Sequence, residues 1–398
     1  MIMMRGWILS MMLIAACKQQ DVSEHILSNK GKDASCAHIT GTADGKTVIS
    51  WIETEKGAET GMLYYAVSAN DTFSAPLPVT TSTGVLPHAE NMPKMVFKPD
   101  GEVIAMYGVE QNDARNKYAG RVLYTRSPDG GKTWLTPQSL VADTGSYDQR
   151  YFDMTILPNG EAAAIWLDNR KHTNDEGSTL YYAVTDGHDG FKQEKPLAET
   201  VCQCCRTALY TDTKGDIHIA FRDIINDSIR DMVHMVSTDG GASFSTHSRI
   251  SADNWVVRGC PHTGPAMVRN GTAMHFAWFT MGGGQGVFYC RSLDNGKTYT
   301  QKEPVSTAPM AKHPQITALG DKSVMMVWDE PVKVVNNFNY RIGFQKRNKE
   351  GEVLETGLLT SDSSYSTFPV IKAMDDSRVL VAYTKKAGEL EEVVYRFK

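Results

Sequence analysis

The chain has 398 residues, with 41 Lys+Arg against 46 Asp+Glu and a formal net charge of -5. So mild a balance leaves no basic stripe for a polyanion, and nucleic acid is not an expected partner. The length suits either several average domains or one closed all-β unit, so the fold has to be read from pattern.

At the N-terminus, Arg5 supplies a short basic region, Gly6 to Leu13 is a brief apolar run, and Ile14-Ala15-Ala16-Cys17 follows. The run falls far short of the roughly 20 residues that cross a bilayer, so it reads as an export signal and not as a span. Small residues just before a cysteine resemble the bacterial lipobox, which implies that Cys17 becomes the lipid-modified mature N-terminus. The alternative is a cysteine that merely follows a cleavable signal. Lys18, in place of Asp, implies by the same resemblance sorting to the outer membrane. The protein is then expected at the cell envelope, facing periplasm or exterior and touching the membrane through its anchor only. Residues 1–17 are read as signal and lipobox, 18–35 as a tether, and 36–398 as the folded unit. Export also permits disulfides among the six remaining cysteines, Cys36, Cys202, Cys204, Cys205, Cys260 and Cys290.

Along the folded unit a turn, then an apolar strand ending in an aromatic residue, recurs at intervals of about 50 to 60 residues. The predicted strands are Lys46–Glu53, Glu102–Glu110, Glu161–Asp168, Asp216–Asp223, Ala273–Thr280, Ser323–Glu330 and Arg378–Lys385. Their late aromatics are Trp51, Tyr107, Trp166, Phe221, Trp278, Trp328 and Tyr383, behind turn pairs such as Asp44-Gly45, Asp100-Gly101 and Asn159-Gly160. Each is followed by a second strand of β-branched or alternating character, and no helical period interrupts the series. Short strands repeated in fours without crossover helices predict an all-β propeller of antiparallel blades.

Three later turns read Ser127-Pro128-Asp129-Gly130-Gly131-Lys132-Thr133-Trp134, Ser237 to Phe244 around Asp239, and Ser292 to Tyr299 around Asp294. They resemble Asp boxes, the BNR repeats of the sialidase superfamily, and the likeness extends over most of 36–398. Their chemistry is structural: the carboxylates of Asp129, Asp239 and Asp294 can cap backbone N–H groups, glycine supplies positive φ, and the aromatic plugs the space between strands. Counting units favours seven blades. The last unit lacks a fourth strand, which Asp21 to Lys30 resembles and is placed to supply, closing the ring and hiding an edge. Six blades, the sialidase number, is the alternative if residues 46–53 belong to a cap.

In a propeller the innermost strand of each blade starts at the end where the second strand finishes, so functional groups are expected to gather on that axial face. The sialidase resemblance implies an arginine trio to hold a substrate carboxylate, a tyrosine nucleophile and a carboxylic acid. Arg150, Arg206 and Arg222 are the candidate carboxylate binders, with His88 and His313 as further binding candidates, and Asp223 or Asp168 as acid. The Phe/Tyr-Arg-Ile-Pro string that opens active sialidases is absent, and Tyr340-Arg341-Ile342-Gly343, the nearest, comes late and lacks the proline. The other reading of these strand-end Arg and Asp residues is that they tie neighbouring blades together.

Cys202, Cys204 and Cys205 open one unit, and Cys260-Pro261-His262 the next. Three thiols with Cys260 and His262 form a soft set suited to copper or zinc; disulfides between the two units are the competing reading. The Cys202-Gln203-Cys204-Cys205 stretch is also similar to one in a branch of exported sialidase-like propellers, a likeness that implies no activity. Expectation therefore centres on an anchored propeller that binds a glycan or small ligand on its axial face, with a soft metal in the cysteine cluster. An exo-α-sialidase, or related glycoside hydrolase for terminal acidic sugars, is the alternative, and a purely structural scaffold the third reading.

Overall fold

The computed structural model describes residues 23–172, 176–335 and 337–398. Cys17, and with it the expected signal and lipobox, lies outside the described residues. Among those described, strand pairing resolves into seven four-stranded antiparallel meanders. Their innermost strands, in chain order, are Asp33–Gly41, Lys94–Phe97, Gln149–Ile156, Ala208–Thr211, Ala266–Asn270, Lys312–Ala318 and Ser366–Ala373. Each touches the innermost strand before and after it, and the last touches the first, so the seven stand in a ring around an axis. The chain is an all-β propeller. We number its blades 1 to 7 in this order. In blade 7 the outer strand is His25–Ile26, which pairs antiparallel with Leu390–Phe397 through His25↔Tyr395 and Ile26↔Val394.

The second strand of each blade is buried on both faces, which is why these segments read as continuous apolar runs. Trp51, Tyr107, Trp166, Phe221, Trp278 and Tyr383 are fully enclosed and Trp328 nearly so. A buried indole N–H needs an acceptor, and because side chains two apart share a strand face, the acid at i+2 supplies it. Trp51 donates to Glu53 at 2.8 Å, Trp166 to Asp168 at 3.4 Å and Trp328 to Glu330 at 2.7 Å. Trp278, followed by Thr280, takes Asp253 of the preceding loop at 2.8 Å instead.

The three Asp boxes form as expected. In blade 2 the Asp129 carboxylate accepts from the Thr133 N–H at 2.8 Å and the Thr133 hydroxyl at 2.7 Å. Ser127 accepts from the Gly131 N–H at 2.8 Å. The box aromatics reach the third strand of the preceding blade: Trp134 meets Tyr65 edge-on, Phe244 meets Tyr182, and Tyr299 meets His234. Gly131 is held at φ +94, where a Cβ would lie 2.3 Å from the Tyr65 hydroxyl, so both backbone and space demand glycine.

Candidate ligand-binding site on the axial face

Four of the seven inner strands are bulged near their start. Register shifts occur between Ser35 and His38, Arg150 and Asp153, Lys312 and Gln315, and Thr367 and Val370. Inside them Cys36, Tyr151, His313 and Phe368 adopt positive φ, and His262 does so in the loop before Ala266–Asn270. None is glycine or asparagine, so each costs about 1 kcal/mol or more of backbone strain that the ring must over-determine. The bulges turn side chains toward the axis.

A narrow channel of about 270 Å³ results, lined from all seven inner strands. Its charged groups are paired across blades: buried Lys94 with the half-buried Asp153 at 3.3 Å, and buried Arg206 with Glu90 at 3.3 Å. Glu90 also accepts from the Gly264 N–H at 3.1 Å. Burial lowers the Lys94 ammonium from its usual range, with Asp153 opposing, and burial holds His38 neutral. At His313 burial acts downward but Asp329, at 2.7 Å, outweighs it and raises the imidazole above its ordinary value.

Beside the channel a larger cavity of about 690 Å³ opens among the loops of blades 1 to 5. Tyr118, 70% exposed, stands at its rim. Within it the rings of His88 and Tyr151 meet edge-on at 5.9 Å, and His88 lies 6.2 Å from His262. Arg150 grips Asp148 with two donors, at 2.6 and 2.9 Å, and also donates to the Tyr118 carbonyl. Asp148 further accepts from the Gly120 N–H and the Asn116 amide. Burial pushes the Tyr151 phenol up and the His88 imidazole down, so both are neutral hydrogen-bonding groups at ordinary pH.

The expected arginine trio is not assembled. Arg150 borders the cavity, Arg206 is committed to Glu90, and Arg222, 1% exposed, spends its donors on the carbonyls of Arg230, Thr263 and Phe279. The acid candidates also lie elsewhere. Asp168 is enclosed and saturated by Ser146, Trp166 and Arg170, while Asp223 faces Thr200 and His247. These strand-end charges tie blades and loops together. Of the two binding histidines, His88 lines the cavity, whereas His313 is held by Asp329 and stacked on Phe368 at 4.1 Å.

The cysteine set divides. Cys202, Cys204 and Cys205 converge in the turn before Ala208–Thr211, with their sulfurs all within 4.8 Å. Cys260 is exposed and, with His262, faces the cavity and does not join the three thiols. The reason is local: the Cys202–Cys205 turn is tucked under the buried guanidiniums of Arg222 and Arg230, while Cys260 rides on an outer loop. The Cys204 and Cys205 thiols bond to Cys202, and with Arg230 and Arg222 they hold its thiol below the ordinary range. All six described cysteines are free thiols. Two other converging sets already hold a cation, Lys98 among Asp100 and Glu102, and Arg269 against Asp212.

Tyr151, Tyr118, Glu90 and Lys94 were not singled out from sequence. The only local trace of the bulges is the proline that follows His313 and Phe368.

Residues 53–256, just over half of the chain, match the family model described as a BNR repeat-like domain. Among solved structures, the chain resembles the polysaccharide lyase Uly1 at 10% identity, with a TM-score of 0.55, 96% of this chain and 93% of that one covered. A protein of unknown function from Dyadobacter fermentans gives 16% identity, a TM-score of 0.52 and coverage of 94% and 96%. The leech intramolecular trans-sialidase gives 10% identity, a TM-score of 0.50 and coverage of 94% and 90%. These are likenesses of fold. No curated protein matches the chain.

Proposed function

The chain belongs to the BNR repeat-like family, and from that premise we propose that it is a carbohydrate-binding propeller whose ligand occupies the axial cavity beside Tyr118, Arg150 and His88. The observation that carries this reading is the cavity itself. Its volume of about 690 Å³ lies within the usual range for small-ligand sites. It joins an apolar wall of Leu86, Pro87 and Val109 and the ring of Tyr118 to amides and imidazoles that can bond sugar hydroxyls. The fold neighbours include proteins named as a polysaccharide lyase and a trans-sialidase, which agrees with a glycan as ligand.

The exo-sialidase alternative receives no support from the geometry, since one of its three arginines reaches the cavity and neither candidate acid does. The test is a glycan array probed with the full chain, beside a fluorogenic sialoside. Binding without sialoside turnover is expected, with Tyr118→Ala weakening it about tenfold through loss of one stacking contact. Absence of any glycan binding, or binding indifferent to Tyr118→Ala, would overturn the reading.

We infer in addition that Cys17 carries a lipid that holds the propeller at the cell envelope, on the strength of Arg5, the Gly6 to Leu13 run and Ile14-Ala15-Ala16 before it. Labelled fatty acid is expected in the full chain and absent from Cys17→Ser. Label persisting in that variant would refute the anchor.

A further inference from the structure

We propose that Cys202, Cys204 and Cys205 form a site for one thiophilic cation, Cu(I) in preference to Zn(II), set in the wall beneath the axial cavity. Cys202 Sγ lies 3.5 Å from Cys204 Sγ and 3.8 Å from Cys205 Sγ. Three sulfurs bound at about 2.3 Å to a single ion stand about 3.8 to 4.0 Å apart, so the thiols are already near the spacing a shared metal requires. All three are buried, with Gln203 between them half-buried at the cavity wall. The ligands would have little freedom to lose on binding.

A second observation is electrostatic and independent of the sulfur geometry. Arg222 is a buried guanidinium that makes no ion pair among the described residues; its donors go to carbonyls and its plane lies 5.0 Å from the Trp255 ring. A buried cation without a counter-charge is costly, and the groups at hand to supply one are the thiols. Arg230 donates directly to Cys202 Sγ at 3.0 Å. One monovalent cation on three thiolates leaves a double negative charge, which faces the Arg222 guanidinium and that of Arg230, the latter shared with the exposed Glu176.

Selectivity follows from the count of ligands. Among the described residues no fourth His, Cys, Asp or Glu joins the set. Structural zinc sites close with four protein ligands, whereas soft thiolates in a three-ligand set suit Cu(I). The site is independent of the carbohydrate reading. It shares only Cys204 with the cavity wall, so either can fail while the other stands.

The experiment is an anaerobic titration of the reduced full chain with Cu(I) in competition with a chromophoric Cu(I) chelator. One equivalent of Cu(I) withdrawn from the chelator, with thiolate-to-copper charge transfer in the ultraviolet, is expected. Cys202→Ser and Cys205→Ser should weaken binding by at least about 100-fold, and Cys290→Ser should leave it unchanged. Since a buried serine can unfold this turn, Arg230→Gln is the second variant: it keeps every thiol and is expected to weaken Cu(I) binding about 10- to 100-fold. The proposal is overturned if the chelator keeps all the copper, if one Zn(II) binds and Cu(I) does not displace it, or if folded Cys202→Ser binds as the parent does.

Discussion

At the scale of single residues, the strand-end acids show how a functional suspicion and a structural duty can share one side chain. Asp168 is an acid at the end of a second strand, which made it a candidate proton donor, yet it accepts from Trp166, Ser146 and Arg170 inside the protein. Asp168→Ala should therefore lower stability by about 1 to 3 kcal/mol, because it strips the acceptor from the buried Trp166 indole N–H and Ser146 hydroxyl and leaves Arg170 with Glu194 and Asp143 alone. Glycan affinity of the folded fraction should not change, and a loss of affinity at unchanged thermal midpoint would speak against the assignment. The signal was available: Trp51-Ile52-Glu53, Trp166-Leu167-Asp168 and Trp328-Asp329-Glu330 repeat a tryptophan with an acid two residues on. The pairing of Glu90 with Arg206 was not, because 116 residues separate them and only ring closure makes them neighbours.

At this scale the histidines also set a pH dependence. Burial lowers His234 to about 3 and His275 to about 4, so both are neutral in the fold. Each folded value lies below the ordinary 6.5, so unfolding takes up protons as acid is added. Their contribution is whole above pH about 6.5 and declines as pH falls from there toward 4 and then 3. The Asp boxes act lower down. Bonds from Thr133 hold Asp129 at about 2 and bonds from Thr298 hold Asp294 at about 2, so their support is complete above the ordinary 3.8 and fades only below it. Thermal midpoints should thus begin to fall well before the carboxylates titrate. A midpoint that is flat from neutral pH down to about 4 would contradict the buried-histidine account.

At the scale of elements, the second strands and the Asp boxes were legible because their determinants are local: aromatic residues at a fixed place in each unit, and a turn whose side chains bond its own backbone. The bulged starts of four inner strands were not. Cys36, Tyr151, His313 and Phe368 adopt a conformation that their residue types disfavour, and only packing around the axis imposes it. Likewise, three cysteines in four residues pointed to a cluster, but sequence could not say that Cys260 and His262 face the cavity instead. The boxes themselves make a sharp prediction. Gly131→Ala puts a Cβ on the Tyr65 hydroxyl at positive φ, and should cost about 1 to 3 kcal/mol by denaturant unfolding. A neutral outcome would mean that the box does not clamp blade 2 against blade 1.

At the scale of the molecule, the ring is sealed by chain segments from its two ends. His25–Ile26 covers the edge of Leu390–Phe397, Glu24 reaches Tyr383 and Lys385, and Glu53 accepts from the Asn29 N–H and amide. A chain starting at residue 32 should melt earlier and self-associate through the bared edge, as seen by light scattering. A monomer of unchanged midpoint would show that the seal is dispensable. The same closure brings loops from blades 1 to 5 to one cavity, and the functional reading depends on it. The most direct measurement is a crystal structure with the tightest-binding oligosaccharide from the array. The account predicts a sugar ring against Tyr118 within hydrogen-bonding reach of Arg150. A sugar lodged instead in the groove between Phe244 and Lys297, with the axial cavity empty, would contradict it.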